Sequence, residues 1–163
     1  MSEFTVKKAV ELAVQTERDG AEFYTELAKS FSDNKDIADI FTKLASDEKS
    51  HEREFTAILN TISEENSDAA ESNQFYLLQA TSISEIFKQG AIKVSGDLSP
   101  KDALLTALNF EKATLAHYYA LADVLGETQQ LNRLIKSEKN HISTLMKVIL
   151  GDASFRGLAD TWA

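Results

Sequence analysis

The chain contains no cysteine. Disulfides, thiolate zinc sites, iron–sulfur clusters and cysteine nucleophiles are therefore excluded. It has one proline and six glycines in 163 residues, a shortage that favours long helices over turn-rich sheet. Basic residues are outnumbered 17 to 26 by acidic ones, for a formal net charge of −9. That balance argues against nucleic acid and against an anionic membrane surface as partners. No apolar run approaches the roughly 18 residues of a transmembrane helix. The stretch Met1 to Val10 lacks a signal-peptide core, so a cytoplasmic location is expected. The length suits one domain over residues 1–163.

What the chain does have is a repeated seam. Ile37, Phe41, Leu44, Glu48, His51, Phe55, Ile58 and Ile62 follow one another in steps of four and three, the inward stripe of a bundle helix. Glu48 and His51 occupy two of its apolar positions. A buried carboxylate must be neutralised, paired or bound to a metal. Leu131, Leu134, Glu138, His141, Leu145 and Val148 repeat the interruption, with Glu48 and Glu138 both followed by a histidine three residues on. The chain has only three histidines, so two Glu-x-x-His motifs in register on apolar stripes form a specific signal.

Two further helices carry one glutamate each. Val10, Ala13, Glu17, Gly20, Tyr24, Leu27 and Phe31 form the seam of a helix expected from about Thr5 to Ser30. Leu104, Leu108, Glu111, Leu115, Tyr118, Ala122 and Leu125 form another, opened by Ser99-Pro100 and ended by Gly126. Between the first two helices, Ser32-Asp33-Asn34 forms the break, with Asp33 as the expected N-cap. The fourth helix is expected from near Thr128 to Gly151. The polar run Ser63–Asp68 reads as a loop. Phe75 to Leu78 are too apolar for a free linker, and Ser82 with Glu85 resembles a capping box. The segment Ser63–Leu98 is thus expected to be a crossover packed along the bundle. Phe155, Leu158 and Trp162 in the tail are expected to dock on the bundle or on a second subunit.

The heights agree as well. Glu17 lies 15 residues before Ser32 and Glu48 lies 16 after it; Glu111 lies 15 before Gly126 and Glu138 lies 12 after it. At about 1.5 Å of rise per residue, all four carboxylates can reach one layer. Two divalent ions would balance their charge, with two neutral imidazoles completing the set. The alternative is a structural network of Glu–His pairs, for which six coincident interruptions are many. Tyr24 and Tyr118 lie two turns from Glu17 and Glu111 on the same faces; they are either donors to those carboxylates or ordinary core tyrosines. His117, off the seam, is expected at the surface or flanking the site.

Glu17 with Phe23-Tyr24, Ser46 to His51, Glu111 with Tyr118-Tyr119, and Ser137 to His141 together resemble the ferritin-like superfamily, and most closely its rubrerythrin-type domains. The resemblance spans roughly Phe4 to Leu150. It implies an all-α, ferritin-like four-helix bundle with a long crossover between the second and third long helices. It implies two iron ions, with manganese or zinc also acceptable to these ligands. Glu48 and Glu138 would bridge them, Glu17 and Glu111 would be terminal ligands, and His51 and His141 would complete one ion each. The implied activity is that of a non-haem di-iron oxidoreductase reducing hydrogen peroxide or dioxygen. A ferritin- or bacterioferritin-type ferroxidase for iron storage and a structural metal-binding bundle are the alternatives. The implied assembly is a homodimer or larger homo-oligomer. Two departures stand out: Thr114 replaces a glutamate that rubrerythrins usually carry, which moves the ligand set toward bacterioferritin, and a chain without cysteine has no rubredoxin domain. Electrons would then come from a separate donor protein.

Overall fold

The computed structural model describes residues 4–62, 73–82 and 98–151. Among these, five helices and no strands are present: α1 (Val6–Ser30), α2 (Lys35–Leu59), α3 (Asn73–Ser82), α4 (Pro100–Leu125) and α5 (Gln129–Gly151). The four long helices form the expected all-α, ferritin-like bundle. The crossover lies between α2 and α4, and α3 is its described part. Among the described residues, no helix is long and apolar enough to cross a membrane.

Local chemistry sets the helix ends. Thr5 caps α1, its hydroxyl accepting from the Lys8 amide at 3.1 Å. Asn34 caps α2, accepting from the Ile37 amide at 3.3 Å; the cap falls one residue later than the expected Asp33, because the turn after α1 continues through Ser32 and Asp33. Ser99 caps α4 with Pro100 in its first turn, and Gly126, at φ 83°, ends it in a backbone region that favours glycine. The Thr128 hydroxyl accepts from the Leu131 amide at 3.1 Å and opens α5.

The bundle is layered along its axis. One apolar cluster, with Phe23, Tyr24, Leu27, Phe41, Leu104, Phe110 and Leu145, fills the end near the α1–α2 turn. A second, with Val10, Ala13, Phe55, Tyr118, Leu121, Leu131 and Leu134, fills the other end. On every long helix the interrupting residues fall between the two clusters, so one polar layer is enclosed by two apolar half-cores.

α3 explains the main departure from expectation. It packs chiefly on α4 and more lightly on α1, burying Leu78 completely. The covered face of α4 is therefore wider than one seam: Thr114, His117 and Leu121 are buried, whereas Leu115, Ala122 and Leu125 are only partly so. His117 is accordingly an interior residue with no exposed surface. Its Nε2 lies 3.2 Å from the Ala9 carbonyl on α1 and its Nδ1 lies 3.3 Å from the Thr81 hydroxyl on α3. Its seam position gave no sign of this, because the cover comes from a distant segment. The Phe75–Leu78 run does form helix, with Tyr76 and Leu77 exposed. The loop 63–68, the Ser82–Glu85 capping box and the tail contacts of Phe155, Leu158 and Trp162 lie outside the described residues.

Candidate metal centre

Four helices each deliver carboxylate to the polar layer. Glu17, Glu48, Glu111 and Glu138 have no exposed surface, and His51 and His141 are 4% exposed. All six residues expected from the sequence are therefore brought together. The two imidazole rings stack at a centroid distance of 5.4 Å. Each presents Nδ1 to the carboxylates: His51 Nδ1 lies 2.9 Å from Glu138, 3.4 Å from Glu17 and 3.9 Å from Glu48, and His141 Nδ1 lies 3.2 Å from Glu111, 3.3 Å from Glu48 and 3.6 Å from Glu138.

These approaches are mostly not hydrogen bonds. His141 Nδ1 does meet Glu111 Oε2 as one. Among the described residues, both carboxylate oxygens of Glu17, Glu48 and Glu138, and His51 Nδ1, are buried without a hydrogen-bond partner. Seven orphaned lone-pair atoms in one layer would be costly in an ordinary core. They converge as two donor sets, Glu17–Glu48–His51–Glu138 and Glu48–Glu111–Glu138–His141, in each of which one atom per residue lies within 4.8 Å of the others. Glu48 and Glu138 belong to both sets. Oxygen and imidazole nitrogen are the donors that iron, manganese and zinc accept, so the residues fit a pair of divalent ions.

Without a cation, the layer can only balance its charge with protons. Burial, and then the charge of Glu48, pushes Glu17 and Glu111 well above the usual carboxylate range. Burial acts the same way on Glu48, but contacts from Glu17, His141 and His51 outweigh it and draw Glu48 down to about 2. Glu138 is lowered as well, its contacts with His141, His51 and Glu111 overcoming burial and the Glu48 charge. Burial disfavours the His51 imidazolium, yet contacts with Glu138, Glu17 and Glu48 raise it to about 12. His141 is raised for the same reason, chiefly by Glu111 and Glu138. Two protonated acids, two carboxylates and two imidazoliums sum to zero, which two divalent ions would achieve with all acids ionised and both rings neutral.

The sequence matches the rubrerythrin family over residues 8–149. The chain belongs to the rubrerythrin family. It is also similar to a solved structure from Thermotoga maritima described as a ferritin-like diiron-carboxylate protein. The two share 27% sequence identity at a TM-score of 0.69, with 90% of this chain and 95% of that chain covered. No curated protein matches this chain.

Around the donors of this rubrerythrin-family chain, the two candidate tyrosines behave differently. Tyr24 donates to Glu111 Oε1 at 2.5 Å. Tyr118 is equally buried, but among the described residues its hydroxyl has no hydrogen-bond partner; its ring packs 4.6 Å from that of Phe55. Thr114, fully buried one turn after Glu111, returns its hydroxyl to the Phe110 carbonyl at 3.0 Å and adds no carboxylate to the layer. Sequence reasoning missed Asp47. Its Oδ2 lies 3.3 Å from His141 Nε2, and Lys43 holds it from one turn earlier on α2. Asp47 lies beside the seam, so periodicity gave no reason to place it near α5.

Proposed function

We propose that this protein is a non-haem di-iron oxidoreductase that reduces hydrogen peroxide or dioxygen. The observation that carries the reading is the pair of donor sets sharing Glu48 and Glu138, with their oxygens orphaned in a closed layer. In this reading Glu48 and Glu138 serve both ions, Glu17 and His51 serve one, and Glu111 and His141 serve the other. Manganese or zinc would suit the same atoms. When bound, an iron pair would supply the two electrons that reductive cleavage of the peroxide O–O bond needs.

The chain's own residues supply the surroundings. The two apolar half-cores keep bulk water from the layer and hold the carboxylates at fixed heights. Tyr24 orients Glu111 through its hydroxyl. Access from solvent is offered by a cleft of about 560 Å³ between α2 and α5, lined in part by Asp39, Lys43, Asp47, Asn140 and His141. These polar side chains, set in a largely apolar wall, suit a small polar oxidant. These 163 residues hold no cysteine to bind a redox iron of the rubredoxin type, and the proposed electron donor is a separate protein.

The test is iron content, mass in solution and peroxide consumption measured on one preparation. Two irons per chain, a small homo-oligomer and peroxide reduction with an added donor are expected. Two irons in a large shell that oxidises and stores iron would replace the peroxidase reading with the storage one. A protein that retains no iron would end both.

A further inference from the structure

The two halves of the site are not equivalent, and Asp47 is one of the differences between them. α2 and α5 align position for position through their Glu-x-x-His motifs, Glu48 with Glu138 and His51 with His141. The residue before the glutamate is Asp47 in one helix and Ser137 in the other. Asp47 crosses to the opposite helix and meets His141 Nε2 at 3.3 Å. The position corresponding to it beside His51 carries a hydroxyl in place of a carboxylate. Among the described residues, the carboxylates paired with His51 all face its Nδ1, and none faces its Nε2.

A carboxylate on the far nitrogen of a metal-binding imidazole does two things. It accepts a hydrogen bond from Nε2–H, which fixes the tautomer with its Nδ1 lone pair directed at the ion. It also strengthens that lone pair as a donor. Lys43, one turn earlier on α2, steadies Asp47 from the solvent side, and the α2–α5 cleft places the three residues at the mouth of the site. Among the described residues, His51 receives no such support.

We infer that Asp47 is a positioning residue for His141 and makes the donor set Glu48–Glu111–Glu138–His141 the tighter of the two metal positions, the one filled first. The inference rests on the metal reading above. It predicts an ordered site, in which one ion is firmly held and the other is more readily lost or exchanged.

The experiment is zinc(II) titration of the full chain, freed of metal, followed by nitrogen NMR of the histidine rings. Zinc is diamagnetic, and His117, outside the donor sets, provides an internal reference. The expected result is that His141 signals reach their bound positions by the first equivalent and His51 signals only by the second. Asp47→Asn should weaken the earlier step by about 10- to 100-fold and abolish the lead of His141, while Asp47→Glu should restore part of it. Asp47 is partly exposed, so neither variant should change the fold, which melting curves would check. Parallel shifts of His51 and His141 in the unaltered protein, or an undiminished lead in Asp47→Asn, would overturn the inference while leaving the metal reading standing. If neither ring responded to zinc, both would fall.

Discussion

The α1–α2 and α4–α5 hairpins present the same donors in different surroundings. Each brings one lone glutamate, one Glu-x-x-His and one buried tyrosine. Aligning Glu17 with Glu111 also pairs Thr16 with Phe110, Gly20 with Thr114, Phe23 with His117 and Tyr24 with Tyr118. At Gly20 the Phe110 ring fills the space a side chain would take, lying 3.0 Å from where a Cβ would stand. At Thr114 a hydroxyl turns back to its own helix. The difference teaches which features the centre requires. Donor type and height are common to both halves, whereas packing, hydrogen bonding and far-side support differ. Variants that act on the shared features should therefore act on both ions, and those that act on the differences should separate the halves.

The largest effect should come from the shared carboxylates. Glu48→Ala and Glu138→Ala each remove a residue common to both donor sets, and each is expected to lose both metals. His51→Ala touches one set and should lose mainly one. Metal-to-protein ratios of the purified variants check this; equal losses in all three would contradict the sharing.

The next effect is a reversal of pH dependence on metal removal. In the metal-free protein Glu17 and Glu111 are raised, so their stabilising contribution is full below the unfolded carboxylate value and fades as pH rises through the folded one. His51, raised to about 12, and His141, also raised, contribute fully below the unfolded imidazole value of 6.5 and lose that contribution toward alkaline pH. Glu48 and Glu138, both lowered, contribute above the unfolded value and weaken only in stronger acid. The metal-free chain should therefore lose stability as pH rises from about 6.5 to 9, above the range in which buried His117 acts in the opposite direction. The metal-loaded chain should lose it as pH falls, because acid competes for the ligands. Melting temperatures of both forms across that range decide the matter, and parallel profiles would mean that the layer does not hold metal.

The helices, and the placing of the six seam glutamates and histidines in one buried layer, were legible in the sequence because both depend on local spacing. Glu48 and His51 stand out on a stripe where each neighbour is apolar, and Thr5, Ser99, Pro100 and Gly126 mark helix ends through their own backbone chemistry. The residues that were not legible depend on what lies across from them. His117 is interior because α3 covers that face of α4. Asp47 matters because α5 places His141 within its reach. Tyr24 and Tyr118 have the same spacing from their glutamates, yet only Tyr24 finds a partner, since that depends on the packing of the opposite hairpin.

His117 has no counterpart in the first hairpin, where Phe23 takes the aligned position. Burial, only partly offset by the Ala9 carbonyl, lowers its pKa to about 4. A histidine kept neutral in the fold contributes fully above the unfolded value of 6.5, and that contribution is lost as pH falls toward the folded one. A separation of about 2.5 units corresponds to about 3 kcal/mol. His117→Gln, which keeps a hydrogen-bonding side chain, should be less sensitive to acid than the unaltered metal-free protein between about pH 6.5 and 4. Denaturant melts at these two pH values test it; an unchanged acid response would show that His117 titrates normally inside the fold.

The smallest effect separates the tyrosines. In Tyr24→Phe, Glu111 Oε1 loses a donor held at 2.5 Å, and a buried acceptor left unpaired costs about 1–3 kcal/mol. In Tyr118→Phe the deleted hydroxyl has no partner among the described residues, so none of them is left unpaired and the ring keeps its contact with Phe55. That change should be neutral within about 0.5 kcal/mol, or slightly stabilising, since burying an unbonded hydroxyl is itself unfavourable. Denaturant melts of both variants, metal-free and metal-loaded, give the comparison directly. Equal losses in the metal-free proteins would mean that Tyr118 has a hydrogen-bond partner after all, with Glu17 the candidate by alignment with the Tyr24–Glu111 pair. A loss in Tyr118→Phe confined to the loaded protein would mean that metal binding brings Glu17 and Tyr118 together. The hydrogen bonding of the two hairpins would then become symmetrical only when the centre is filled.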